Sequence, residues 1–147
     1  MDKIIPKANA NNDKDFNDRL FNFIVQFEWY NPKSYWDYKQ YSIWFGTLSF
    51  KWETITWEEA KKRKQEHINY IVERNPFIND IKNDNHKIAI ISFIYNVWSL
   101  KSYQKRYINN WYWKALWNNF LLYNKSNWKE LWWLVKRRNA EKDLLYK

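Results

Sequence analysis

One glycine, Gly46, serves a chain of 147 residues that also carries twelve tryptophans. Glycine takes positive φ without steric cost, so it is the usual residue at helix ends and in tight hairpins. A domain of this length would ordinarily hold roughly ten, at about 7% usage. Tryptophan and glycine are near opposites in size and backbone freedom, and both counts depart from the norm together. The chain must therefore reverse direction with residues poorly suited to it, or its tryptophans hold positions that belong to something smaller.

The remaining composition is that of a folded domain. Hydrophobic residues make up 46% and aromatics 22%, which excludes disorder along the whole chain. With no cysteine there is no disulfide framework, thiol nucleophile or cysteine-based zinc site. Two histidines, His67 and His86, are too few for a His-rich metal site. The formal charge of +9 favours an anionic partner, whether nucleic acid, acidic membrane or cell wall, without choosing among them. No apolar run approaches a membrane span, and mean hydropathy is −0.86. Residues 1–15 are polar and lack the basic end and apolar stretch of a signal peptide, so synthesis in the cytoplasm is expected.

Residues 1–15 read as a loose arm, and 16–147 as one domain without internal repeat or linker. From about Phe16, the three-and-four spacing of Leu20, Phe21, Ile24 and Phe27 predicts a helix ending near Glu28. Residues 34–56 are rich in Tyr, Ser, Thr, Ile and Phe in short alternating stretches, which predicts a small antiparallel sheet. Thr56 followed by Glu58 and Glu59 predicts a capped helix that runs to about Arg74, before Pro76. The segment 86–97, HKIAIISFIYNV, is apolar nearly all round and belongs at the centre of a core. Helical pieces follow near 99–109, 112–122 and 130–145. The class is α+β: a first helix, a small antiparallel sheet and a larger helical lobe.

Glu28 extends the buried stripe of the first helix, eight residues after Leu20 and four after Ile24. Partial burial and the negative end of the helix dipole would both raise its pKa, as a general acid requires. The plainer alternative is an exposed side chain on a fraying helix end. Asp37 and Ser42 follow in the strand-like region. An acid, a second carboxylate and a hydroxyl suit glycoside hydrolysis, in which one group protonates the leaving oxygen and the other orients water. Lys61-Lys62-Arg63-Lys64 reads as a solvated face of a helix, and Lys136-Arg137-Arg138 as a second basic run in the last one. The two histidines read as ordinary surface or helix-start residues.

The stretch FEWYNPKSYWDYKQYSIWFGT resembles the active-site region of the phage-type lysozymes, glycoside hydrolase family 24. In that family a helix ends in Glu-Gly, a Tyr-x-Asp follows, and a Thr or Ser opens a glycine-rich strand. Here the corresponding places hold Glu28-Trp29, Tyr35-Trp36-Asp37 and Ser42-Ile43-Trp44-Phe45-Gly46. The likeness continues through ETITWEEA, ISFIYNV and LVKRRNAEKDL, spanning about residues 16–145. It implies a lysozyme-like fold with Glu28 as general acid, Asp37 as the carboxylate that positions or activates water, and Ser42 as an auxiliary hydroxyl. Ser42 stands where many members have Thr, with four residues between it and Asp37 where five is usual.

The resemblance further implies a muramidase that cleaves the β-1,4 bond between N-acetylmuramic acid and N-acetylglucosamine in peptidoglycan. No metal or organic cofactor is called for. The expected partners are peptidoglycan glycan strands and the anionic wall surface, not nucleic acid, and the expected state is a monomer released through a holin-like pore to act on the wall. A non-catalytic, glycan-binding relative is the alternative, and a wall-clearing assay separates the two.

Tryptophan recurs where this family has glycine: Trp29, Trp44, Trp52, Trp98, Trp111, Trp128, Trp132 and Trp133. Trp98 follows the central helix at a helix-cap position, and Trp111 and Trp128 each follow an asparagine, as in an Asn-Gly turn. The codon UGA is read as tryptophan in some genetic codes and as glycine in another, so a UGA-as-glycine gene translated under the wrong rule would yield this pattern. Trp36, Trp57, Trp113 and Trp117 are left undecided.

Overall fold

A computed structural model describes residues 10–28, 35–37, 40–43, 47–49, 54, 56–126 and 128–147. The chain divides into two compact units, Met1–Glu73 and Arg74–Lys147. Helices predominate and strands are few and short, as the α+β reading expects.

In the first unit, α1 (Ala10–Val25) begins six residues before the apolar spacing that predicted it. Its polar first turns belong to a helix whose buried side starts at Phe16 and continues through Leu20, Phe21 and Ile24. The helix then tightens: the Phe27 and Glu28 N–H groups donate to the carbonyls of Ile24 and Val25, at 3.2 and 3.1 Å. Three strands follow, β1 (Tyr35–Asp37), β2 (Gln40–Ile43) and β3 (Thr47–Ser49), paired antiparallel in chain order. Helix α2 (Trp57–Arg74) starts at the predicted cap, where the Glu59 N–H donates to Thr56 Oγ1 at 3.2 Å. Phe21 of α1 meets α2 through Trp57, edge to face at 6.2 Å, and through the Lys61 ammonium, 5.4 Å from its ring.

In the second unit, a 3-10 turn (Pro76–Asp80) precedes α3 (Asp84–Val97), capped by the Asn83 side chain, which accepts from the N–H groups of Asn85 and His86. Every residue from Ile88 to Ile94 is buried, so α3 is the central helix that its all-round apolar sequence predicts. Each of its four isoleucines gains about 1.5–3 kcal/mol from burial, offset by the entropy of ordering the chain. Around it run α4 (Ser102–Asn109), α5 (Trp113–Phe120) and α6 (Trp132–Tyr146), with a two-stranded hairpin of β4 (Lys125–Ser126) and β5 (Lys129–Glu130) before α6. Gln104, buried on α4, donates to Asn119 of α5 at 2.7 Å.

Three described residues other than glycine have positive φ, and all three are tryptophans: Trp98 at 78°, Trp111 at 62° and Trp128 at 66°. Each occupies a standard glycine position. Trp98 ends α3, its N–H donating to Ile94 O at 2.7 Å in a single-bond helix cap. After α4, the Trp111 N–H donates to Ile108 O and the Tyr112 N–H reaches back to Tyr107 O, the paired bonds of a left-handed cap at residue 111. Trp128 lies in the two-residue connection of the β4–β5 hairpin, where Asn-Gly is the favoured pair. The side chains bury little in return, being 75%, 60% and 97% exposed.

A charged cluster joins α3 to α6. Glu141 Oε1 accepts from Ser92 Oγ at 2.9 Å, Arg138 Nη2 at 3.0 Å and Arg137 Nε at 3.3 Å. Arg137 Nη2 also reaches the Ser92 carbonyl at 3.0 Å, and Arg138 Nη2 reaches Asn96 Oδ1 at 2.8 Å. The Arg138 guanidinium lies 4.8 Å from the centre of the Phe93 ring, which in turn stacks on Phe120 at 3.8 Å. Burial lowers the Arg138 pKa to about 10, with Glu141 opposing the shift, so the group is still cationic at neutral pH. Removing the shared acceptor strands Ser92 Oγ and Arg137 Nε and leaves Arg138 Nη2 with Asn96 Oδ1 alone. Glu141→Ala is expected to cost about 3–5 kcal/mol and to lower the melting temperature by roughly 10 °C or more. An unchanged thermal melt would show that the cluster contributes nothing to stability.

Candidate active site

Glu28 stands just beyond α1, at the end of the tightened turn, and its side chain is half-buried. The apolar stripe carries it there: Leu20 and Ile24 are fully buried, and Phe27 packs edge to face on Phe23 at 5.5 Å. It is therefore neither a core residue nor a solvated one. Residues 29–34 lie outside the described residues.

Asp37 is the last residue of β1 and pairs with Gln40 at the start of β2, while Ser42 pairs with Tyr35. The antiparallel ladder thus brings positions 37 and 42 onto adjacent strands. Because Gln40 and Ser42 are two apart, the two positions share one face of the pleat. A four-residue gap in sequence becomes a diagonal across a single hairpin. The unit that ends α1 with Glu28 also carries the hairpin with Asp37 and Ser42.

On α2, His67 is half-buried and lies one turn after Lys64. Burial lowers the His67 pKa, and Lys64 lowers it further, while the charge of Glu28 pulls the other way. Sequence reasoning assigned His67 nothing, and spacing carried no signal that would bring it under the influence of Glu28. The basic runs need correcting too. Lys64 is fully buried, Lys61 covers Phe21, and Arg63 pairs with Glu59 at 3.1 Å, so 61–64 is not simply a solvated face. Arg137 and Arg138 lie inside the core, which removes them from any surface that attracts an anionic wall. His86 does sit in the first turn of α3, but it is buried against Trp113 rather than exposed.

Among the described residues, no group of His, Asp and Glu could hold a metal ion, and no helix is long and apolar enough to cross a membrane.

The family model for phage lysozyme matches residues 25–141, which takes in Glu28, the three-stranded sheet and the Arg137–Arg138 cluster. No curated protein sequence matches the chain closely enough to count as a relative. Solved structures do. The muramidase domain of SpmX from Asticaccaulis excentricus superposes with a TM-score of 0.74 at 18% identity, over 88% of this chain and 95% of that one. The endolysin Lyz of P1 phage superposes with a TM-score of 0.71 at 16% identity, over 84% and 80%. An endolysin from the Escherichia coli O157:H7 phage FAHEc1 gives 0.70 at 20% identity, over 86% and 90%. At these identities the structures establish the fold, and the family model establishes the membership. The chain belongs to the phage lysozyme family and is a glycoside hydrolase of the lysozyme type.

Proposed function

We propose that the protein is a muramidase that hydrolyses the β-1,4 bond between N-acetylmuramic acid and N-acetylglucosamine in peptidoglycan. The observation that carries this reading is the family match across residues 25–141, which spans a half-buried Glu28 at a helix end and a hairpin bearing Asp37 and Ser42. Glu28 is the general acid that protonates the departing glycosidic oxygen. Asp37 orients and activates the attacking water, and Ser42 supports that water from the neighbouring strand. The mechanism needs two carboxylates and water, with no metal or organic cofactor. Residues 16–147 act as one catalytic domain. The enzyme works as a monomer and reaches the wall through a holin-like pore.

Clearing of purified cell walls tests the assignment. Glu28→Gln is expected to lower the clearing rate by roughly 10²–10⁴-fold, the usual worth of a general acid, and Asp37→Asn to lower it as well. Clearing that survives Glu28→Gln removes Glu28 from the acid role. An unmodified chain that pellets with walls but never clears them would favour the glycan-binding alternative.

The reading extends to the tryptophans: at 98, 111 and 128 the intended residue is glycine, and UGA recoding accounts for the substitution. The support is that each has positive φ in a glycine motif while its indole stays largely exposed. Trp29, Trp44 and Trp52 lie outside the described residues. Trp132 and Trp133 fall in the first turn of α6, where helical φ does not require glycine, and their assignment rests on the family pattern alone. Of the undecided four, Trp117 lies inside α5, where glycine would cost up to about 1 kcal/mol relative to alanine, while Trp57 and Trp113 open α2 and α5 and pack on the rings of Phe21 and His86. Those three are read as genuine. Codons decide the matter directly, since UGG at 98, 111 and 128 would end the recoding idea. The strain is testable apart from the gene. Replacing the three by glycine is expected to gain about 1–2 kcal/mol at each, and so to raise the melting temperature by roughly 10 °C. A melting temperature that stays level or falls would show that the turns carry no strain.

A further inference from the structure

The second unit holds a cavity of about 790 Å³, which none of Glu28, Asp37 or Ser42 lines. It falls within the roughly 300–1,000 Å³ typical of small-ligand sites. Its walls come from the first turn of α3, the length of α5 and the end of α6, through His86, Trp113, Lys114, Trp117, Tyr146 and Lys147. Trp113 and Trp117 are one turn apart on α5 and so share a face of that helix. Each indole leans on a second ring: Trp113 on His86 at 4.3 Å, and Trp117 on Tyr146 at 5.1 Å, both pairs tilted by about 44°. Ring pairs of this kind fix the indoles in orientation, so little side-chain entropy is lost when a ligand stacks on them. Trp111 also lines the cavity, but it holds a glycine position and the argument does without it.

The polar character of the lining narrows the ligand. Lys114 and Lys147 lie on the rim with Asn118, and no Asp or Glu is among the described lining residues. Burial lowers the His86 pKa, and a hydrogen bond to the Leu145 backbone opposes that shift only in part, so at neutral pH the ring is largely an uncharged stacking surface. Tilted aromatic faces suit the C–H faces of pyranose rings, and amide hydrogen bonding suits N-acetyl groups. Two cations without a nearby acid suit a glycan that carries carboxylates. A polynucleotide would want a longer basic track along its phosphates.

We propose that this cavity is a second carbohydrate site that holds an N-acetylhexosamine segment of an anionic glycan without taking part in hydrolysis. The identity of the glycan as wall polymer rests on the muramidase reading; the cavity and its chemistry do not. The site would keep the enzyme on an insoluble strand between cuts.

The test uses the full-length Glu28→Gln chain, so that the ligand survives. An N-acetylglucosamine tetramer is titrated while the indole N–H resonances of Trp113 and Trp117 are followed by NMR, and pelleting with purified walls is measured alongside. Shifts at both indoles are expected. Trp117→Ala and the surface change Lys114→Glu are each expected to weaken wall pelleting about tenfold, with thermal melts to establish that both variants fold. In chains that keep Glu28, the same changes should leave hydrolysis of soluble oligosaccharides within twofold of the parent. Pelleting unchanged in Lys114→Glu and in folded Trp117→Ala overturns the proposal. So does an oligothymidylate that shifts the two indoles when the sugar does not. If pelleting falls as expected but the parent cleaves no oligosaccharide, the second site stands and the muramidase reading fails. Normal cleavage with unchanged pelleting gives the reverse.

Discussion

A single carboxylate oxygen organises the second unit. Glu141 Oε1 receives one hydroxyl from α3 and two guanidinium groups from its own helix, while those guanidiniums reach across to the Ser92 carbonyl and the Asn96 side chain. Apolar packing would allow α6 to slide or rotate on α3 at modest cost, because methyl groups have no fixed partners. Buried charged donors tolerate less freedom, since a shift that breaks one of these bonds costs about 1–3 kcal/mol or more. Register between the two helices is therefore specified by polar geometry, and their apolar neighbours fill the space around it. The Arg138–Phe93–Phe120 stack extends that specification to α5, because Phe93 can face Arg138 and Phe120 together in only one rotation of α3. The aromatic cavity lies between elements held by these contacts, and this is why its indoles are fixed in place.

The backbone obeys a separate constraint. Three chain reversals in the described residues use positive φ, and side-chain packing does not choose those positions; the lengths of α3, α4 and the β4–β5 hairpin do. A tryptophan there gains little from burial, its side chain being 75%, 60% or 97% exposed. Local preference and tertiary demand thus disagree at three places, while nearly everywhere else they agree: Thr56 and Asn83 cap, Gln104 closes on the Lys101 N–H, and Ile88–Ile94 fill the centre.

Much of this was legible in advance, for identifiable reasons. Periodicity revealed α1 and α3 because each buries a face, or all faces, of an ordinary helix. Capping chemistry revealed the start of α2 to the residue. Periodicity could not reveal that α1 extends back to Ala10, because the sequence before Phe16 is polar and carries no apolar spacing, nor that the hairpin at 125–130 exists, because two-residue strands are too short to alternate. Charge was the weakest guide. Lys64 read as part of a solvated face and is buried, and Arg137 and Arg138, whose structural part only the family likeness suggested, are buried too, since sequence shows a charge but not the acceptor or ring that compensates it. For the candidate site, the order Glu28, Asp37, Ser42 was visible, while the pairing of Tyr35 with Ser42 and Asp37 with Gln40 required the sheet.

Those buried cations alter how the net charge should be understood. Part of the formal excess is not displayed to solvent: Arg137 and Arg138 outnumber Glu141 in one buried cluster, and Lys64 of α2 is buried. The cations left at the surface include Lys61, Lys62, Lys105, Arg106 and Lys114. Scattered charges raise the local concentration of an anionic polymer but do not orient it, and physiological salt screens them beyond about 8 Å. Orientation of a glycan strand has to come from shaped, short-range contacts, which in a chain of this composition means aromatic rings. Trp113 and Trp117 meet that requirement, each leaning from α5 on a partner ring, whereas Trp98, Trp111 and Trp128 stand at turns with positive φ and are mostly exposed.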